Sequence, residues 1–168
     1  MQPDEIALVF DHLYWVRDRI LAAADQPGVT WPGMAPHGLR GLRATLVHEL
    51  DVQWSWRRRL ASANPSAFPP EDVELLPEDY PTVASIRERW IGDELEMRAW
   101  LGRLSAAALN GPCGAEQTQS HPLWWHLQHV YAHGIQQFSD AARLLSENGH
   151  SPGELDFLDF IDGREGPA

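Results

Sequence analysis

Apolar residues recur at three- and four-residue intervals along four long stretches of the chain, the pattern of helices that each bury one face. From about Asp4 to Ala24, a stripe of Ile6, Val9, Phe10, Leu13, Val16, Ile20 and Leu21 is broken only by Arg17, and Pro27-Gly28 ends it. A second stripe, Leu42, Leu46, Leu50, Trp54 and Leu60, predicts a helix from near Leu39 to about Ser62. Pro65, Pro69, Pro70 and Pro77 then forbid a continuous helix between Asn64 and Tyr80. Thr82 stands as an N-cap, with Ser85 where a capping box usually has Glu, and opens a third helix to about Leu104 through Ile86, Trp90, Leu95, Trp100 and Leu101. Ala106 to Gln119 reads as a loop of small residues with room for one helical turn. The last helix opens after Ser120, carries Pro122 at a tolerated early position and stops at Asn148-Gly149.

No run of residues reads as a strand. Four helices and one seventeen-residue connection predict an all-α four-helix bundle with one long crossover. The apolar residues of Leu155 to Phe160 place the C-terminal tail back on that bundle. With 168 residues, 43% of them hydrophobic, and no internal repeat, the chain is expected to form a single domain over residues 1–168.

Charge narrows the partners. Thirteen Lys+Arg against 24 Asp+Glu give a net charge of −11, which repels nucleic-acid backbones and anionic membrane surfaces. The one basic cluster, Arg57 to Arg59, points in three directions on a helix, as a solvated face or a set of ion pairs does. No apolar run reaches the roughly 20 residues of a membrane span, and Met1 to Glu5 lacks the basic start of a secretory signal. A single cysteine, Cys113, in the loop Asn110 to Gly114 excludes an internal disulfide and reads as a bystander thiol. A cytoplasmic protein is expected.

The candidate chemistry lies in the histidines. In HLQHVYAHGIQQF, residues 126 to 138, His129, His133 and Gln137 repeat every fourth residue and line one helical face. Two imidazoles one turn apart can converge on a divalent ion, and a third ligand must then come from another helix. His48, mid-helix among Leu46, Val47 and Leu50, is the natural candidate. Spacing alone favours His129 with His133, because imidazole outranks a carboxamide as a ligand for zinc, nickel or iron. Asp51, one turn beyond His48, is a candidate to orient its imidazole, or else lies on a solvated face. Asp140 stands one turn beyond Gln137. Trp15, Trp54, Trp56, Trp90, Trp100, Trp124 and Trp125 serve core packing or line an apolar pocket. His12 reads as surface or core, and His37, His121, His126 and His150 receive no role.

Taken together, His48 with Trp56 eight residues on, Pro77-Glu78-Asp79-Tyr80-Pro81-Thr82, His129-Val130-Tyr131-Ala132-His133-Gly134, and the tail Gly149 to Phe157 resemble the DinB/YfiT superfamily over nearly the whole chain. That resemblance implies a bundle with an unusual crossover, a homodimer, and a divalent metal (Zn, Ni or Fe) held by three ligands, usually histidines. By position His48 matches the first ligand and His133 the second. The third falls on Gln137, where the family has histidine, and Phe138 stands where arginine commonly follows. His129 matches an upstream histidine that is usually not a ligand. Characterised relatives include thiol-dependent transferases and isomerases, so the resemblance implies S-transfer from a low-molecular-weight thiol such as mycothiol or bacillithiol, or hydrolysis by a related enzyme. Two readings of the glutamine follow. Either Gln137 offers its amide oxygen as a weak third ligand, or His129 moves in, and the site survives; or the site is degenerate and the bundle is a non-catalytic binder of a small molecule or partner, as in a stress response.

Overall fold

The computed structural model describes residues 1–31, 40–62, 74–113 and 121–164, and all its regular structure is helical. α1 (Pro3–Ala24) begins with Pro3 at its first position and Gln2 N–H donating to Glu5 Oε2 at 2.7 Å. α2 (Leu42–Ala61) starts after Gly41. The expected start near Leu39 falls outside the described residues, as does the proline-rich stretch 63–73. A 3-10 turn, Pro77–Asp79, leads into α3 (Val83–Leu101). There Thr82 Oγ1 accepts the Ser85 N–H at 3.1 Å while Ser85 Oγ accepts the Thr82 N–H at 3.3 Å, so the serine completes the box in place of Glu.

α3 ends at Leu101, one turn short of the expected Leu104. Bonds from Arg103 N–H to Trp100 O and Leu104 N–H to Leu101 O tighten the chain out of the helix. Ser105 then caps a new one, α4 (Ala106–Asn110), by accepting the Ala108 N–H at 3.1 Å. α5 (Leu123–Glu147) stops as anticipated. Gly149 takes φ +83°, its N–H reaches Ser146 O at 3.0 Å, and the His150 N–H reaches Leu145 O at 2.9 Å. These are the two bonds of a left-handed C-terminal cap, at a position that favours glycine. The tail forms α6 (Phe157–Arg164), which packs on α1 with Phe160 buried and Leu158 exposed.

α5 lies along α2 and α1, and α3 lies along the same two helices. The core between them holds Ile6, Phe10, Leu13, Ile20, Leu46, Leu50, Ile86, Trp90, Leu127 and Phe138. Burying this apolar surface is the main stabilising term. Arg17, the break in the α1 stripe, is itself buried: it pairs with Asp18 at 2.7 Å and with Glu94 of α3 at 2.6 Å, and its guanidinium lies 4.9 Å from the centre of the Tyr14 ring. The stripe is therefore interrupted by an ion pair that joins two helices. Among the described residues, no helix is long and apolar enough to cross a membrane.

Candidate metal centre

Where α2 meets α5, Gly134 lets the two helices come close. A Cβ on Gly134 would stand 2.6 Å from Glu49 Oε1 and 2.7 Å from Leu13 Cδ1, closer than nonbonded atoms pack, so only glycine fits without displacement. Glu49 uses that space. It is 0% exposed, and its Oε2 is hydrogen-bonded to His133 Nδ1 at 2.6 Å. Its Oε1 accepts from Gln53 Nε2 at 2.7 Å, and Gln53 Oε1 accepts the Trp90 indole N–H at 3.3 Å. Burial pushes the Glu49 carboxyl above its ordinary range, and the bonds from His133 and Gln53 offset part of that rise.

His48 and His133, on different helices, come together with ring centroids 5.2 Å apart and planes at 66°. Burial holds the His48 pKa below its ordinary value, helped by electrostatic interaction with Arg40 and His133 and opposed by Glu74. A ring kept neutral retains a nitrogen lone pair, the form in which histidine binds a metal. Gln137 is buried, 9% exposed, one turn beyond His133 on α5. His129 stands further off, its ring 6.5 Å from that of His133, and packs edge-on against Trp56 at 5.3 Å. Trp56 also stacks on His126, with centroids 5.8 Å apart.

The donor set fits a divalent ion in part. Two imidazoles on separate helices, one of them anchored through Nδ1, are nitrogen donors suited to zinc, nickel or iron. Among the described residues no group of three or more His, Cys, Asp or Glu side chains is arranged to hold a metal.

Asp51 does not orient His48: its Oδ1 accepts the Leu75 N–H at 3.1 Å, tying the end of the α2–α3 connection to α2. The arginine cluster is held by its surroundings. Arg57 is buried against Asp93 at 2.5 Å and Glu96 at 2.7 Å, while Arg58 and Arg59 lie over Trp54 and Trp56. Trp90 is fully buried and Trp100 nearly so, whereas Trp125 is half exposed. A cavity of about 300 Å³ near the C-terminal end of α5 is lined by Gly28, Leu42, Leu145, Asn148 and His150 among others, and by none of the seven tryptophans. Cys113 is buried in the loop after α4. His37 lies outside the described residues.

His12 is core. A carbonyl can only accept, so His12 Nε2–H donates to Leu155 O at 3.2 Å, and Nδ1 accepts the Tyr131 hydroxyl at 3.0 Å, which ties the tail to α1 and α5.

Sequence reasoning missed Glu49 and Gln53, and read Gly134 as part of the His129 to Gly134 block without its packing role. The signal was present, since Glu49, Gln53 and Arg57 fall on the same buried stripe of α2 as Leu42, Leu46 and Leu60. Three polar residues on an apolar face call for partners on the helices that cover it. No protein-family model and no curated protein matches this sequence.

Proposed function

We propose that the chain is a DinB/YfiT-like four-helix bundle, with the α2–α3 connection as its crossover, that binds a divalent metal at His48 and His133 and catalyses transfer of a low-molecular-weight thiol. The observation that carries this reading is the pairing of two imidazoles from different helices at 5.2 Å, one of them fixed by a buried carboxylate. The four pairings of α1, α2, α3 and α5 support the bundle. Zinc, nickel or iron is the class of ion that such donors hold, with Gln137 as the oxygen donor. When bound, the ion supplies a Lewis acid that keeps a thiol in its nucleophilic thiolate form at neutral pH.

The chain's own residues do the rest. His48, kept neutral by burial, presents a lone pair. His133 is held by Glu49, and Phe138 and Trp90, both fully buried, pack together in the core with ring centroids 5.7 Å apart. The test is a conjugation assay with mycothiol or bacillithiol and an electrophile, with and without added zinc or nickel. The reading expects metal-dependent turnover that His48→Ala abolishes; turnover at background with either metal contradicts it.

The absence of a three-residue His, Cys, Asp or Glu group among the described residues favours a second reading, a non-catalytic binder with a degenerate site. Metal content separates the two. An empty parent whose Gln137→His variant fills supports the second reading, and a filled parent that His48→Ala empties supports the first.

A further inference from the structure

We propose that Trp90, Gln53 and Glu49 form a hydrogen-bond relay, with each donor and acceptor fixed, that sets the tautomer of His133, with Glu49 as its positioning residue. The assignment follows from donor chemistry. An indole N–H can only donate, so the contact from Trp90 Nε1 at 3.3 Å fixes which end of the Gln53 amide is oxygen. The Gln53 NH2 is thereby turned to Glu49 Oε1, at 2.7 Å, and that oxygen must accept. The second carboxylate oxygen, Oε2, accepts in turn from His133 Nδ1–H at 2.6 Å. The donors thus converge on Glu49 from both sides, from Trp90 on α3 through Gln53 on α2 and from His133 on α5. His133 is left with its lone pair on Nε2.

Three features keep the relay from rearranging. Trp90, Gln53 and Glu49 are all 0% exposed, so no bulk water competes for their hydrogen bonds. Flipping the Gln53 amide would set an NH2 against the indole N–H and a carbonyl oxygen against a carboxylate oxygen. Gly134 supplies the space that Glu49 Oε1 occupies. The use of the Nε2 lone pair for a metal rests on the function proposed above, but the tautomer does not.

The same logic gives an inverted outcome for one isosteric change. In Glu49→Gln, the Gln53 NH2 still demands an acceptor, so the new amide at position 49 turns its oxygen to Gln53 and its NH2 to His133 Nδ1. His133 must then accept at Nδ1 and carry its proton on Nε2. Adding Gln53→Glu reverses this. The new carboxylate at position 53 accepts from both Trp90 and the amide at position 49, whose oxygen again faces His133 and accepts Nδ1–H.

The experiment is long-range 1H–15N correlation of the imidazole nitrogens in 15N-histidine-labelled protein without metal, at roughly two pH units above the ordinary imidazole pKa of about 6.5. The His133 signals are assigned against His133→Gln. Expected are the Nδ1–H form in the parent, the Nε2–H form in Glu49→Gln, and the Nδ1–H form again in the double variant. Zinc titration of the same samples should show a loss of about 10- to 100-fold in Glu49→Gln, regained in the double variant. A parent with its proton on Nε2 overturns the relay, and this result needs no variant to fold. A tautomer unchanged in a folded Glu49→Gln also overturns it. Switching tautomers in protein that binds no zinc would uphold the relay while removing the metal reading.

Discussion

Two carboxylates are buried equally deeply on adjacent helices, and they are answered in opposite ways. Asp93 on α3, 1% exposed, reaches α2 and meets Arg57, a permanent cation that also holds Glu96. Glu49 on α2, 0% exposed, reaches α5 and meets an imidazole and a carboxamide. Burial pushes both carboxyls upward, opposed by Arg57 in one case and by His133 and Gln53 in the other. A guanidinium so placed has no other task, because it cannot give up its proton and has no lone pair to offer. An imidazole held by one nitrogen still has the other. The Asp93 pair is a structural joint between α2 and α3, whereas the Glu49 contact determines what His133 presents.

The sharpest way to break this comparison is to remove one partner from each joint. Arg57→Ala leaves Asp93 buried without its counter-charge and should cost about 3–5 kcal/mol in urea denaturation. Gly134→Ala comes next. Its new methyl meets Glu49 Oε1 and Leu13 Cδ1, so an overpacking loss of about 1–3 kcal/mol is expected, together with displacement of Glu49 from His133. Glu49→Gln should change urea stability by less than about 1 kcal/mol, since it keeps the shape and both hydrogen-bonding positions and removes a desolvated charge. A loss as large as that of Arg57→Ala would mean that Glu49 is a structural joint like Asp93.

His12 extends the contrast to a second buried imidazole, one with both nitrogens engaged. Burial lowers its pKa from the ordinary 6.5, opposed by the Leu155 carbonyl and the Asp156 charge. The unfolded chain therefore binds this proton more tightly than the folded one. The stability linked to His12 is present in full above pH 6.5 and is lost as pH falls below it toward the lower folded value. Urea midpoints taken across that window should decline in the parent and decline less in His12→Gln.

The helices were legible because burial of one face imposes a period that any window of residues displays. Thr82 and Gly149 were legible because capping is chemistry within a few residues of chain. His48 and His133 could be paired because a metal reading requires ligands from two helices. The carboxylate beside them could not be identified this way. Asp51 stands about one turn from His48 and was a candidate partner or a residue of a solvated face, yet its helix face meets the connection before α3, where its Oδ1 accepts the Leu75 N–H. Glu49, directly after His48 in sequence, lies on the face that α5 covers. Which of two nearby carboxylates meets an imidazole depends on how helices pack, and the small residue that permits the contact, Gly134, is 85 positions away in the chain.

The most direct test of the account is a calorimetric zinc titration of the parent beside His48→Ala and His133→Ala. If the two imidazoles share one ion, the parent takes up one equivalent and each variant loses at least about tenfold in affinity. A parent that binds no zinc, or variants that bind it as tightly as the parent, would contradict the account: His48 and His133 would then be neighbours in the core and no metal centre.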